Sequence, residues 1–188
     1  MKAIIIISGF TQKLHQETGS KKLWRKMRLN SKLYSNPDVL VELKEWDSDW
    51  RNYARYINSY KPSEVLICAY SWGNHGLIEL SKRLDRRVVA VLCDPVKRSR
   101  TIFGRWKALF DRKIKLPDNV DLVGWISQRG DILDGDPVVG KGKICEEVIL
   151  DYTHTQIDNS QEYHNLAFTA VKDFIVPSTT AIQKKEEC

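Results

Sequence analysis

Residues 64–80, EVLICAYSWGNHGLIEL, pass from one periodicity to another with almost nothing in between. Residues 65–70 are an unbroken run of apolar and β-prone side chains, short enough for a buried strand. From Gly73 onward, Gly76, Leu77, Ile78, Leu80 and Leu84 recur at a spacing close to that of a helix face. Ala69-Tyr70-Ser71-Trp72-Gly73 lies at the junction and leaves no length for a loop. A chain that goes from strand to helix there must turn within one residue, holding it in a strained conformation with its side chain exposed. Ala69 and Gly73, two positions before and two after Ser71, are small and keep neighbouring side chains out of the turn.

Apolar runs alternate with amphipathic ones along the rest of the chain. Strands are expected at 3–7, 39–43, 65–70, 88–93, 120–126 and 148–152. A basic helix is expected at 21–33, with Leu23, Trp24 and Met27 turned inward. A second follows a cap at Ser48 or Asp49, with Trp50, Tyr53, Ala54, Ile57 and Tyr60 at three- and four-residue intervals, and stops before Pro62. The last, 160–175, carries Leu166, Ala167, Ala170, Val171 and Phe174 on one side and ends before Pro177. This alternation predicts an α/β fold, a three-layer αβα sandwich around a mostly parallel sheet of about six strands. A single domain at 1–177 accounts for it, and the polar segment 178–188 is expected to be a disordered tail. Ligands of such sheets bind beyond the carboxyl ends of the strands, so chemistry is sought there.

With 188 residues, 42% hydrophobic and 29% charged, the chain has the length for a sizeable core and an ordinary globular composition. No apolar run approaches the length of a bilayer span. The first residues enter a strand at once, without the longer apolar stretch and small-residue cleavage site of a secretory signal. Cys68, Cys93, Cys145 and Cys188 show no metal-like spacing, and the first two fall inside expected strands. Free thiols of a reducing compartment are the expectation, with a cytoplasmic location.

The junction around Ser71 resembles the nucleophile elbow of the α/β-hydrolase superfamily, specifically its small single-domain serine hydrolases of the esterase and lipase type. The family pattern is Gly-x-Ser-x-Gly, and Ala69 stands here for the first glycine. The resemblance implies a minimal α/β-hydrolase fold with Ser71 as nucleophile. It implies an oxyanion hole made by the backbone N–H groups of Trp72 and of Phe10, in Ser8-Gly9-Phe10-Thr11, with Thr11 a secondary candidate. Ser8 stands where the family usually has histidine.

Four histidines compete for the role of base. His15 lies in the first loop, before any candidate acid. His75 is four residues past Ser71, within the helix that follows it, and its side chain is expected to be carried away from the hydroxyl. His164 lies within the last helix and is expected on its surface. His154 is left, just past the last strand, where the family keeps its base. The family's acid after the penultimate strand corresponds to Asp131, in Ser127-Gln128-Arg129-Gly130-Asp131. Asp134 and Asp136 lie close by in sequence, and Asp94, at the end of the preceding strand, is the main alternative, because some lipases place their acid there. The order Ser71, Asp131, His154 matches the hydrolase order.

The segment 96–116 is set apart by charge. Between Lys97 and Lys115 lie eight cationic side chains against one acid, Asp111, in a chain whose net charge is +6. Ile102, Phe103, Trp106, Leu109 and Phe110 share a helical face within it. Family members commonly insert a cap at this place. Two accounts stand: a covering helix with a solvated basic face, or a cap whose Phe103, Trp106 and Phe110 line an acyl pocket while its cations meet anionic substrates or lipid surfaces.

The function expected is a serine hydrolase that cleaves a small-molecule carboxylic ester or thioester through an acyl-enzyme, with no metal or organic cofactor. The alternative is a non-catalytic binding module on the same scaffold, its basic segment engaging an anionic partner or membrane surface. No nucleic-acid-binding motif accompanies the basic and aromatic residues, so a nucleic-acid partner is not expected.

Overall fold

The structure is a computed structural model that describes residues 1–10, 12–14, 17–30, 33, 36–97, 113–129 and 135–175. Its main sheet is built from β1 (Lys2–Ile7), β2 (Val39–Lys44), β3 (Glu64–Tyr70), β4 (Val88–Cys93), β6 (Val120–Gln128) and β8 (Val148–Leu150). Their spatial order is β2-β1-β3-β4-β6-β8, and every pairing is parallel. Between β4 and β8, two short strands, β5 (Ile114–Lys115) and β7 (Val138–Val139), pair parallel in a separate ribbon.

The central strands are apolar on both faces because each face has its own core. Ile5 and Ile7 of β1, Ile67 and Ala69 of β3, and Ala90 and Leu92 of β4 point to one side. There they meet α2 (Trp50–Ser59), through Trp50, Tyr53, Ala54 and Ile57, and α3 (Gly73–Ser81), through Leu77 and Leu80. The alternate residues Ile4, Ile6, Leu66, Cys68, Val89 and Val91 point to the other side. That face is covered by α1 (Gly19–Leu29), through Leu23 and Met27, and α5 (Gln161–Ile175), through Tyr163, Ala167, Val171 and Phe174. A single turn, α4 (His154–Ile157), joins β8 to α5. Each large aliphatic side chain sealed this way is worth roughly 1.5–3 kcal/mol over leaving it in water. The result is a three-layer α/β sandwich.

Helix starts follow the capping chemistry of the sequence. Asp49 accepts from the backbone N–H groups of Arg51 and Asn52, each at 3.1 Å, so it rather than Ser48 caps α2. Thr18 accepts from Lys21 N and opens α1 two residues before the expected start, and Asn30 ends that helix earlier than 33. Tyr60, expected on the inner face of α2, is the C-cap and is exposed, with its ring against Tyr56. The helix has ended by that point, so its inward stripe does not reach Tyr60.

A bulge in β6 decides which way its end faces. Ala90 pairs with Leu122, but Val91 pairs with Gly124, so Val123 is an extra residue in the ladder. Parity switches across it: Leu122 and Trp125 lie in one core and Ile126 in the other. The bulge thereby fixes the face presented by Ser127 and Gln128 at the end of the strand.

Most of the basic segment 96–116, with Phe103, Trp106 and Phe110, lies outside the described residues, as does the tail 178–188. No helix among the described residues is long and apolar enough to cross a membrane.

Candidate active site

β3 ends at Tyr70 and α3 starts at Gly73, so the chain reverses through Ser71 and Trp72. Ser71 has φ 52°, the left-handed region that a residue with a Cβ occupies only under constraint. The constraint is visible in its neighbours. Ser71 N–H donates to the Cys93 carbonyl at 3.0 Å, and Asn74 Nδ2 donates to both the Ser71 and the Val96 carbonyls. A Cβ added at Gly73 would sit 2.7 Å from the Ser8 carbonyl oxygen and 2.8 Å from that of Ile7. Glycine at this position lets α3 start directly against the end of β1.

His154 is the first residue of α4, which Thr153 and Gln156 close with a reciprocal capping box. Its Nε2 lies 2.8 Å from Ser71 Oγ. Its ring stacks on that of Tyr70 with centroids 5.3 Å apart, and Tyr70 Oη donates to the His154 carbonyl. The imidazole is thus held from the strand that carries the serine.

Nδ1 of His154 lies 2.5 Å from Oδ2 of Asp94. Asp94 is the residue just past β4, fully buried, and has φ 43°. Its carboxylate also accepts from Gln128 N at 3.2 Å and Gln128 Nε2 at 3.1 Å. Gly135 packs so closely that a Cβ there would approach Asp94 Oδ1 to 2.6 Å. The carboxylate behind the imidazole is therefore Asp94, the alternative from the sequence. Asp131, the first expectation, lies outside the described residues, as does His15. Asp94 reaches the imidazole because β4 neighbours β3, so the ends of these strands stand side by side.

On the other side of Ser71, Gly9 follows β1 and abuts the elbow: an added Cβ would lie 3.0 Å from Ser71 Cβ and 2.7 Å from the Tyr70 ring. Among the described residues, neither Phe10 N–H nor Trp72 N–H has an acceptor. Trp72 is the residue after the serine, and Phe10 is the residue after the glycine packed against it. Thr11 lies outside the described residues.

The loop after β1 is tied to the histidine segment by a buried polar chain. Gln12 Oε1 accepts from Gly9 N at 3.2 Å, and Gln12 Nε2 donates to the Asp158 carboxylate. Asp158 is 1% exposed and comes directly after α4. Burial raises its pKa, against the lowering effect of Gln12 and of the Ser20 and Gly19 N–H groups at the start of α1. His164, expected on the surface of α5, is instead 2% exposed. Its Nε2 lies 3.0 Å from the Asp158 carbonyl and its Nδ1 3.3 Å from Lys26 Nζ. Helix α5 lies on the same face of the sheet as α1, and His164 falls on the stripe between them. Burial and the Lys26 charge lower its pKa.

Sequence reasoning missed Gln128, Gln12 and Asp158. Gln128 lies at the end of β6, so reading every strand end would have flagged it. Gln12 and Asp158, 146 positions apart, meet only through the fold. His75 lies beside Asn74, Ile78, Lys82, Lys97, Lys113, Ile114 and Lys115 around a cavity of about 360 Å³. A second cavity, about 260 Å³, opens at the amino ends of the strands by Lys2, Glu64 and Arg87, opposite Ser71. Cys68 and Cys93 are free and buried, and burial pushes both thiols up, Cys68 to about 12, which leaves them unreactive. Among the described residues no cluster of His, Cys, Asp or Glu is placed to hold a metal ion.

Fold and site together define a parallel α/β sandwich with a serine, a histidine and an aspartate in hydrogen-bonded sequence at its strand ends. No protein-family model and no curated protein matches the chain.

Proposed function

We propose that the protein is a serine hydrolase acting on a carboxylic ester or thioester. The observation that carries this reading is the unbroken line from Ser71 Oγ through the His154 ring to Asp94, at 2.8 Å and 2.5 Å. Asp94 accepts from Nδ1–H, which leaves the Nε2 lone pair facing the serine hydroxyl. Nε2 takes the hydroxyl proton as Ser71 Oγ bonds to the acyl carbon, and the resulting imidazolium gives that proton to the departing oxygen or sulfur. The alcohol or thiol leaves, and water, deprotonated by the same nitrogen, releases the acid and frees Ser71.

The N–H groups of Phe10 and Trp72 are assigned to the oxyanion of both tetrahedral intermediates. Removal of one such donor typically costs on the order of 3 kcal/mol of transition-state stabilisation. Backbone strain supports the same reading: among the described residues three that are not glycine have positive φ, and two of them are Ser71 and Asp94. Strain of this kind persists where surrounding structure enforces it, and it concentrates at functional sites.

A second reading, an anion-binding module, is favoured by the cavity beside His75, to which Lys82, Lys97, Lys113 and Lys115 contribute. A fluorophosphonate probe separates the two. Labelling of the wild type that disappears in Ser71→Ala supports the hydrolase. An unlabelled, ester-inactive protein that binds anionic vesicles in a salt-sensitive manner supports the module.

A further inference from the structure

Three aromatic rings stand together at the ends of three adjacent strands. Trp46 follows β2, Phe10 follows β1 and Trp72 follows β3. Phe10 and Trp72 have ring centroids 4.5 Å apart, tilted by 40°. Trp46 meets both edge-on, at 5.4 Å and 5.5 Å. The cluster is not sealed into a core: Phe10 is 50% exposed, and Trp46 and Trp72 are half-buried. It is also continuous with the reaction centre, because Trp72 follows Ser71 and Phe10 follows the glycine packed on Ser71 Cβ.

We infer that Phe10, Trp46 and Trp72 form the acyl-binding wall and that the acyl group it takes is aromatic or similarly flat. This rests on the hydrolase reading and deepens it. Strand order supplies the direction. Along β2-β1-β3-β4-β6-β8, the wall occupies the ends of the first three strands, Asp94 ends the fourth, and His154 comes from beyond the last. The departing group must lie near Nε2 to receive its proton, which puts it on the histidine side of Ser71. The oxyanion takes the third direction, toward the Phe10 and Trp72 N–H groups. The remaining substituent of the tetrahedral carbon, the acyl group, is left to the aromatic side. Tilted and edge-on rings present both a π face and a positive edge, the geometry in which a further aromatic ring packs well.

The test compares p-nitrophenyl esters that share a leaving group and differ in acyl group, 3-phenylpropionate against acetate, each corrected for its alkaline hydrolysis rate. The wild type should prefer the aryl ester by about tenfold or more in kcat/KM, the range a hydrophobic pocket gives. Trp46→Ala, confirmed folded by circular dichroism, should lower that ratio about fivefold, and Trp46→Phe should restore part of it. A wild-type ratio near one, or a ratio unmoved by Trp46→Ala, overturns the wall. Should the probe not label Ser71 and neither ester turn over, the hydrolase reading fails and the wall is judged by binding alone. Saturable quenching of tryptophan emission by 3-phenylpropionamide but not by butyramide, weakened in Trp46→Ala, would then support it, and its absence would overturn it.

Discussion

Ser71 and Asp94 end neighbouring strands, and both have left-handed backbones, φ 52° and 43°. The two turns are built differently. Ser71 is forced to turn by the helix directly after it, since α3 begins two residues later and Gly73 is pressed on the end of β1. Asp94 is held by the groups its side chain touches: Gln128 N, Gln128 Nε2 and His154 Nδ1 all converge on one buried carboxylate. One strained residue is thus set by the chain around it, the other by residues more than thirty positions away. A site assembled from both kinds of turn places its groups rigidly, and it is legible in sequence only by half.

Replacement of the two candidate acids gives the largest expected effect. Asp94→Asn should lower ester turnover by up to about 10⁴-fold, because an amide lets the imidazole flip to the wrong tautomer. Asp131→Asn should change it less than about threefold, and the reverse order in kcat measurements would return the acid to Asp131. Stability should separate the turns next, by denaturant midpoint. Asp94→Gly relieves its backbone but strips three buried donors of their acceptor, and should be less stable than Asp94→Asn by about 1–3 kcal/mol. Ser71→Gly relieves the same backbone region with less to lose, and should exceed Ser71→Ala by about 1 kcal/mol. Equal signs at the two positions would show that the turns are not held differently.

The smallest effect concerns the other buried histidine. His164 has its pKa lowered by burial and by Lys26, so in acid the unfolded chain takes up a proton that the folded one resists. Its contribution to stability is present above the ordinary histidine range and is lost as pH falls through it. The urea midpoint should therefore drop from about pH 7.5 to about pH 5.5, and His164→Gln should drop less. An identical slope in both would exclude this histidine as its source.

The layered fold was legible because its cause is local. Short unbroken apolar runs at Ile4 to Ile7 and Leu66 to Ala69, and three- and four-residue spacing in Trp50 to Ile57, are properties of short windows, and the same windows form the two cores. Asp49 as a cap and Ser71 as a turn residue are local in the same sense. His164 was misplaced because its helix has one stripe against the sheet and a second against α1, and a single helix does not reveal the neighbour it packs beside.

Sequence alone determined the six strands of the main sheet, most of the helices and the residue at which a strand-to-helix reversal turns. Ser71, expected to be exposed there, is only 4% exposed beneath His154. Tertiary structure decided which carboxylate backs His154, which glutamine holds that carboxylate, and that Phe10, Trp46 and Trp72 share a surface. The physical reason is reach. Backbone periodicity and turn strain act within a few residues, whereas a hydrogen bond or ring contact needs only nearness in space, which strand order and the bulge in β6 supply.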